Sequence, residues 1–213
     1  MSGWFITLEG GEGSGKSSQI KRLSAYLHDR YPGKEIVISR EPGGTPEAEK
    51  IRDILVNGQV DKFTPQTEAL LMVASRAEHV DKIITPALNR GAIVICDRFS
   101  DSSVVYQGLA HGINRADIDR LHDFAIAGLK PHRTYLLDLP PEIGLQRANK
   151  RSATMPAQES RFEDKGLAFH QRVRDGFLSL ATSEPKRFQI VDAMRSEDIV
   201  FSVIQADILD LIS

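Results

Sequence analysis

Gly10-Gly11-Glu12-Gly13-Ser14-Gly15-Lys16-Ser17 fits the pattern G-x-x-x-x-G-K-[ST] at every fixed position. It follows Trp4 to Glu9 (WFITLE), a short apolar and β-branched run that reads as a buried strand. It precedes Ile20, Leu23, Leu27 and Tyr31, which recur at helical spacing and predict a helix from Gly15 to about Arg30. A glycine loop between strand and helix is the setting in which this pattern holds phosphate. The glycines let the backbone wrap an anion with its N–H groups pointing inward, and the following helix turns its positive end to the same point. Lys16 is expected to reach the β- and γ-phosphates of a nucleotide, and the Ser17 hydroxyl to ligate Mg²⁺. Residues Gly10 to Ser17, with Ser18, form the candidate ATP-binding segment.

Outward from this loop, strand and helix patterns alternate. Glu35 to Ser39, Ala92 to Cys96, Thr134 to Leu139 and Phe188 to Val191 read as four further strands. Helices are predicted over Pro46–Val56, Pro65–Asn89, Arg115–Ala127, Pro141–Lys150, Phe162–Ala181 and Ser196–Ile212. In the long helix Pro65–Asn89, Leu70, Leu71, Val73, Ala74 and Ala77 mark the expected apolar side, and Pro86 an expected kink. Such alternation implies right-handed crossovers and a three-layer α/β fold, a five-stranded parallel sheet flanked by helices, in one domain over residues 1–213.

The chain has 213 residues and a formal net charge of -2, so no global basic field exists to hold nucleic acid. Its one cysteine, Cys96, excludes an intramolecular disulfide and is expected in the core. No apolar run approaches the roughly 20 residues that span a bilayer. The N-terminus lacks a signal-peptide pattern, and a cytoplasmic enzyme is expected. No histidine shows a partner constellation of the kind a phosphoryl carrier needs.

Polar residues gather where strands end. Arg40-Glu41-Pro42-Gly43-Gly44-Thr45 follows the second strand, and Asp97-Arg98-Phe99 the third, continuing to Gly108. Ligands in open parallel sheets sit beyond the carboxyl ends of the strands, so these segments should meet the glycine loop in one crevice. There Asp97 is placed to hold Mg²⁺ or its water, and Arg98 to clamp a phosphate. Glu41 is expected to be a structural partner of nearby backbone.

Together these stretches resemble the thymidylate kinase family, of the bacterial type, along essentially the whole chain. The resemblance rests on EGGEGSGKSS (9–18), REPGGT (40–45), LLMVASRAEH (70–79), DRFSDSSVVYQG (97–108) and SRFE (160–163). It implies ATP-dependent phosphorylation of dTMP to dTDP with Mg²⁺ and a homodimer, for which the Pro65–Asn89 helix is the expected interface. Carried over residue by residue, Glu12 would meet the acceptor's 3′-hydroxyl, Arg76 would approach O4 of thymine, and Arg98 would bind the acceptor phosphate. Asp97 would organise Mg²⁺. Ser102, Ser103 and Gln107 would read the Watson–Crick edge, and Tyr106 would pack beneath the deoxyribose. Met72 stands where the family usually has a thymine-stacking phenylalanine. The basic segment at about 147–161, with Arg147, Lys150, Arg151 and Arg161, resembles a lid, Arg151 or Arg161 reaching the phosphates. Glu163 would help at the acceptor or metal site or cap the next helix, and the Val191-Asp192-Ala193 backbone would lie beside adenine.

Overall fold

Five β-rich runs pair into one all-parallel sheet in the order β2-β3-β1-β4-β5. The strands are β1 (Trp4–Glu9), β2 (Ile36–Arg40), β3 (Ile93–Asp97), β4 (Arg133–Asp138) and β5 (Phe188–Asp192). The computed structural model describes residues 3–152 and 161–212, without the side chains of 151 and 152. Central strands β1, β3 and β4 are buried along nearly their whole length because helices cover both faces. Ile6, Leu8, Ile95 and Leu137 pack against α1 (Lys16–Arg30) and α9 (Glu197–Ile212) on one side. Phe5, Val94 and Cys96 pack with Ile84, Leu88 and Phe99 on the other. Cys96 is buried as expected. In register, Glu9 pairs along β4 with Leu136, while Asp97 of β3 lies beside Leu8 and Arg40. The three strand ends that carry polar segments therefore open at one edge.

The other helices are α2 (Pro46–Val56), α3 (Pro65–His79), α4 (Thr85–Asn89), α5 (Ser100–Ser103), α6 (Arg115–Ile126), α7 (Pro141–Ser152) and α8 (Leu167–Ser183). Thr45 and Thr64 cap α2 and α3 by accepting from Ala48 N–H and Thr67 N–H, each ahead of a proline at the helix start. The expected long helix is continuous but widens to a π-turn over Val80–Ile84 just before Pro86. Thr85 N–H there reaches back to the Val80 carbonyl. Widening accommodates a proline that lacks an N–H and would otherwise crowd the carbonyl four residues back.

Three expectations need correction. The predicted apolar side of α3 is rotated: Leu70 and Ala74 are exposed, whereas Glu68, Ser75, Arg76 and His79 are buried with Ala69 and Val73. Helix α8 begins at Leu167 rather than Phe162, after Gly166. Residues 100–110, not expected to be helical, form α5 followed by a π-helical stretch, Val104–Ala110.

Candidate functional site

The glycine loop takes its shape from positions only glycine fills easily. Gly10, Gly13 and Gly15 have φ of 136°, 66° and 93°. Gly13 also leaves no room: a Cβ there would stand 2.1 Å from the Gly144 carbonyl oxygen, and one on Gly144 would stand 2.3 Å from the Glu12 carbonyl oxygen. The loop thus rests backbone to backbone on α7. Lys16 Nζ is folded into the loop, donating to the carbonyls of Gly10 (3.2 Å) and Gly11 (3.0 Å). Burial, and then Arg98, lower its pKa. Ser17 Oγ donates to Asp97 Oδ2 across 3.3 Å, bringing the two expected metal-site residues together.

Arg98 leaves the end of β3 in a left-handed conformation (φ 66°). Its Nη1 donates to the Gly10 carbonyl (3.0 Å) and Ser102 Oγ (3.4 Å), and its Nη2 to Glu12 Oε1 (2.7 Å). The guanidinium lies over the Tyr106 ring, 5.1 Å from its centre. Tyr106 O–H also donates to Glu12 Oε1 (3.3 Å). Burial pushes the Glu12 carboxyl up, but Arg98 and then Lys16 outweigh it and bring the pKa down to about 2. Glu9 behaves oppositely. It is wholly buried, accepts from Phe99 N–H (2.8 Å) and Ser102 Oγ (2.7 Å), and is raised to about 7 by burial and by Asp101.

The wall across from the loop is built on α3 and on residues 100–107. Arg76 donates Nε to Glu41 (2.6 Å), Nη1 to Ser103 Oγ and His122 Nε2 (2.9 Å each), and Nη2 to the Phe99 carbonyl (3.1 Å). His122 must accept there, and burial with Arg76 lowers its pKa to about 3, so it stays neutral. His79 bridges Ser39 and Glu41. Glu41 therefore serves side chains on α3 rather than nearby backbone, and both histidines have partner constellations that were not expected. Two N–H groups of the 40–45 turn are held: Gly43 by Ser75 Oγ (3.1 Å) and Gly44 by Glu49 (2.9 Å).

These walls enclose a cavity of about 580 Å³ running from the glycine loop to Met72, Arg76, Tyr106 and Gln107. Glu12, Lys16, Ser17, Asp97, Arg98, Ser102 and Ser103 all line it, as do Glu163 and the loop residues 13–18. Glu163 does not cap α8, whose N-cap is Gly166.

Of the two expected lid arginines, Arg161 is not brought to this cavity. The Arg151 side chain and residues 153–160 lie outside the described residues. Arg161 is 1% exposed and turned elsewhere. It donates to the carbonyls of Leu55 (3.0 Å) and Gln59 (3.1 Å) and forms an ion pair with Glu68 at 2.7 Å. Arg147, on α7, donates to the carbonyl of Ala193 (3.3 Å), just after β5. Sequence reading passed over Glu9, Glu68 and Gly144. Glu9 ends a strand directly before the loop, which was a usable signal; Glu68 and Gly144 had none.

The thymidylate kinase family profile matches residues 8–204. The chain is 47% identical to a thymidylate kinase of Caulobacter vibrioides over 95% of this chain and 94% of that one. It is 49% identical to a thymidylate kinase of Geobacter sulfurreducens over 89% of each. Among solved structures, the crystal structure of thymidylate kinase from Ehrlichia chaffeensis superposes with a TM-score of 0.75 at 34% identity, over 97% of this chain and 99% of that one. With the sheet order, the phosphate loop and the second polar wall already in place, these likenesses assign the fold and the family at once: the chain belongs to the thymidylate kinase family.

Proposed function

We propose that the chain transfers the γ-phosphoryl group of ATP directly to dTMP, giving ADP and dTDP. The observation that carries this is the continuity of the cavity, which joins a phosphate loop to a second polar wall ending at Gln107. A nucleotide switch needs the first and has no use for the second. Phosphoryl transfer asks the protein mainly to position two reactants and to neutralise charge. Residues 10–18 hold the donor phosphates, with Lys16 released from the loop carbonyls to meet them. Arg98 binds the acceptor phosphate, and Glu12, a carboxylate throughout the neutral range, accepts from the 3′-hydroxyl. Tyr106 packs beneath the deoxyribose. Met72, Arg76, Ser102, Ser103 and Gln107 shape the base end; the two serines act largely by holding Glu9 and Arg76 in place.

A magnesium ion fits this donor set. Among the described residues no group of three or more His, Cys, Asp or Glu side chains is placed to hold a metal. Magnesium suits that poverty, since it commonly takes one or two protein oxygens and completes its shell with substrate phosphates and water. Ser17 and Asp97 would hold it. When bound it would neutralise charge on the β- and γ-phosphates.

No described helix is long and apolar enough to cross a membrane, in keeping with a cytoplasmic site of action. The homodimer, with the Pro65–Asn89 helix as its interface, rests on membership of the family.

Incubating the protein with Mg·ATP and dTMP, dUMP, dCMP, dGMP or dAMP separately tests the reading. ADP release should be fastest with dTMP, with dTDP formed one-for-one. ATP hydrolysis indifferent to every acceptor would refute it.

A further inference from the structure

We infer that Glu68 is a positioning residue for base selection, which fixes the carboxamide of Gln107 so that its oxygen is the end offered to the acceptor. The inference rests on the dTMP reading above and deepens it. Glu68 sits on α3, 1% exposed. Its Oε1 accepts from Gln107 Nε2 at 2.9 Å and lies 3.5 Å from His111 Nδ1. Its Oε2 lies 2.7 Å from Arg161 and 3.8 Å from Lys165. Lys165 is in turn 2.7 Å from His111 Nε2.

A carboxylate offers acceptors only, so the nitrogen end of the Gln107 amide must face it. Among the described residues the Gln107 side-chain oxygen has no hydrogen bond within the chain, and Gln107 lines the cavity. A free glutamine amide can present either end at small cost; one bound to a buried carboxylate cannot. The cavity therefore meets an acceptor oxygen of settled orientation. Thymine and uracil carry N–H at ring position 3, which this oxygen can accept. Cytosine carries a lone pair there, which it repels. A glutamine at 68 would satisfy either orientation of Gln107 and remove the bias. Arg161 and Lys165 explain why a carboxylate can stay buried at this place, since an unpaired charge there would be strongly unfavourable.

The alternative is that Glu68 merely anchors residues 161–165 to α3. A double-substitution cycle separates the two. Steady-state kinetics with dTMP and dCMP, and the dTMP Kd, are measured for the unmodified protein, E68Q, Q107A and E68Q/Q107A. E68Q should raise the KM for dTMP about tenfold, chiefly in KM rather than kcat, and lose a similar factor of discrimination against dCMP. In the Q107A background E68Q should add nothing further. Additive effects, or an unchanged KM in E68Q, would overturn the assignment. Because E68Q leaves Arg161 without its carboxylate, E68Q/R161M is carried in parallel and should show the same loss of discrimination. Failure of both to fold would make Glu68 a structural strut and equally overturn it. Absence of dTMP preference in the unmodified protein would instead sink the substrate reading itself.

Discussion

Gly144→Ala sets a local gain against a remote cost, and the structure says which wins. Gly144 lies inside α7, where alanine is favoured over glycine by about 1 kcal/mol. The added Cβ, however, would stand 2.3 Å from the Glu12 carbonyl oxygen, against an ordinary contact near 3.4 Å. The neighbour is backbone, so relief requires the helix or the phosphate loop to move by roughly 1 Å. Crowding of this kind costs about 1–3 kcal/mol if nothing yields. The loop is the softer side, because it is irregular glycine backbone tied by side-chain bonds from Lys16 and Arg98, whereas α7 is a hydrogen-bonded helix. A reactant misplaced by about 1 Å can lose about 100-fold in rate. Gly144→Ala should therefore leave the melting temperature within a few degrees while kcat/KM for ATP falls about 100-fold, read by coupled ADP release and thermal denaturation. A variant more stable than the parent with unchanged kcat/KM would refute the view that α7 sets the loop's position. The reciprocal substitution, Gly13→Ala, should be worse on both counts, since it adds a left-handed φ of 66° to a 2.1 Å contact.

Arg161→Ala removes one side of a buried ion pair and should cost about 3–5 kcal/mol of stability in urea unfolding; a normal midpoint with kcat alone reduced would restore the lid role. Glu9→Gln tests the raised carboxyl. With a folded pKa of about 7 against an ordinary 4.5, Glu9 favours folding fully below about pH 4.5, and that contribution is lost as pH rises through about 7. Glutamine mimics the protonated form, so the parent should lose about 3 kcal/mol relative to E9Q across that window, and parallel pH–stability curves would contradict it. Met72→Phe should lower the KM for dTMP, because a ring on the cavity wall recovers offset stacking that a thioether lacks; an unchanged or higher KM would count against a base at that wall.

Much of the fold was legible because its signals are local. A glycine loop between an apolar run and a helical period, and four more apolar runs, two of them ending in polar clusters, need no knowledge of distant contacts. Helix α3 misleads for a physical reason. Its buried face carries Glu68, Ser75, Arg76 and His79, so a search for apolar periodicity selects the exposed Leu70 and Ala74 instead. The helical stretch 100–110 hides similarly, since serines, an aspartate and paired valines are poor helix formers and only tertiary burial holds them. Arg161 reads as part of a basic lid segment reaching the phosphates, yet its carbonyl partners are Leu55 and Gln59, about a hundred residues earlier. Nothing near 161 signals them. Gly144 looks like an ordinary helix glycine until the loop 130 residues before it is seen to rest there.

Arg98 explains why the two carboxyls beside it diverge. A left-handed arginine is strained by about 1–3 kcal/mol, and it persists because its backbone N–H is fixed by the Leu8 carbonyl and its guanidinium by Gly10 and Glu12. That conformation returns the side chain across the loop instead of letting it follow β3 outward. Glu12 meets the guanidinium end-on and stays ionised. Glu9, one residue before the loop, is raised to about 7 by burial and then by Asp101, which outweigh Arg98 and the hydrogen bonds from Ser102 and Phe99 N–H. The difference matters for a cavity proposed to take two polyanions. Arg76 is balanced by Glu41 and Arg98 by Glu12, while Lys16, Arg40 and Arg52 also line the cavity with Asp97 and Glu163. Burial makes neutrality the cheaper state of Glu9 below about pH 7, even against the pull of Arg98.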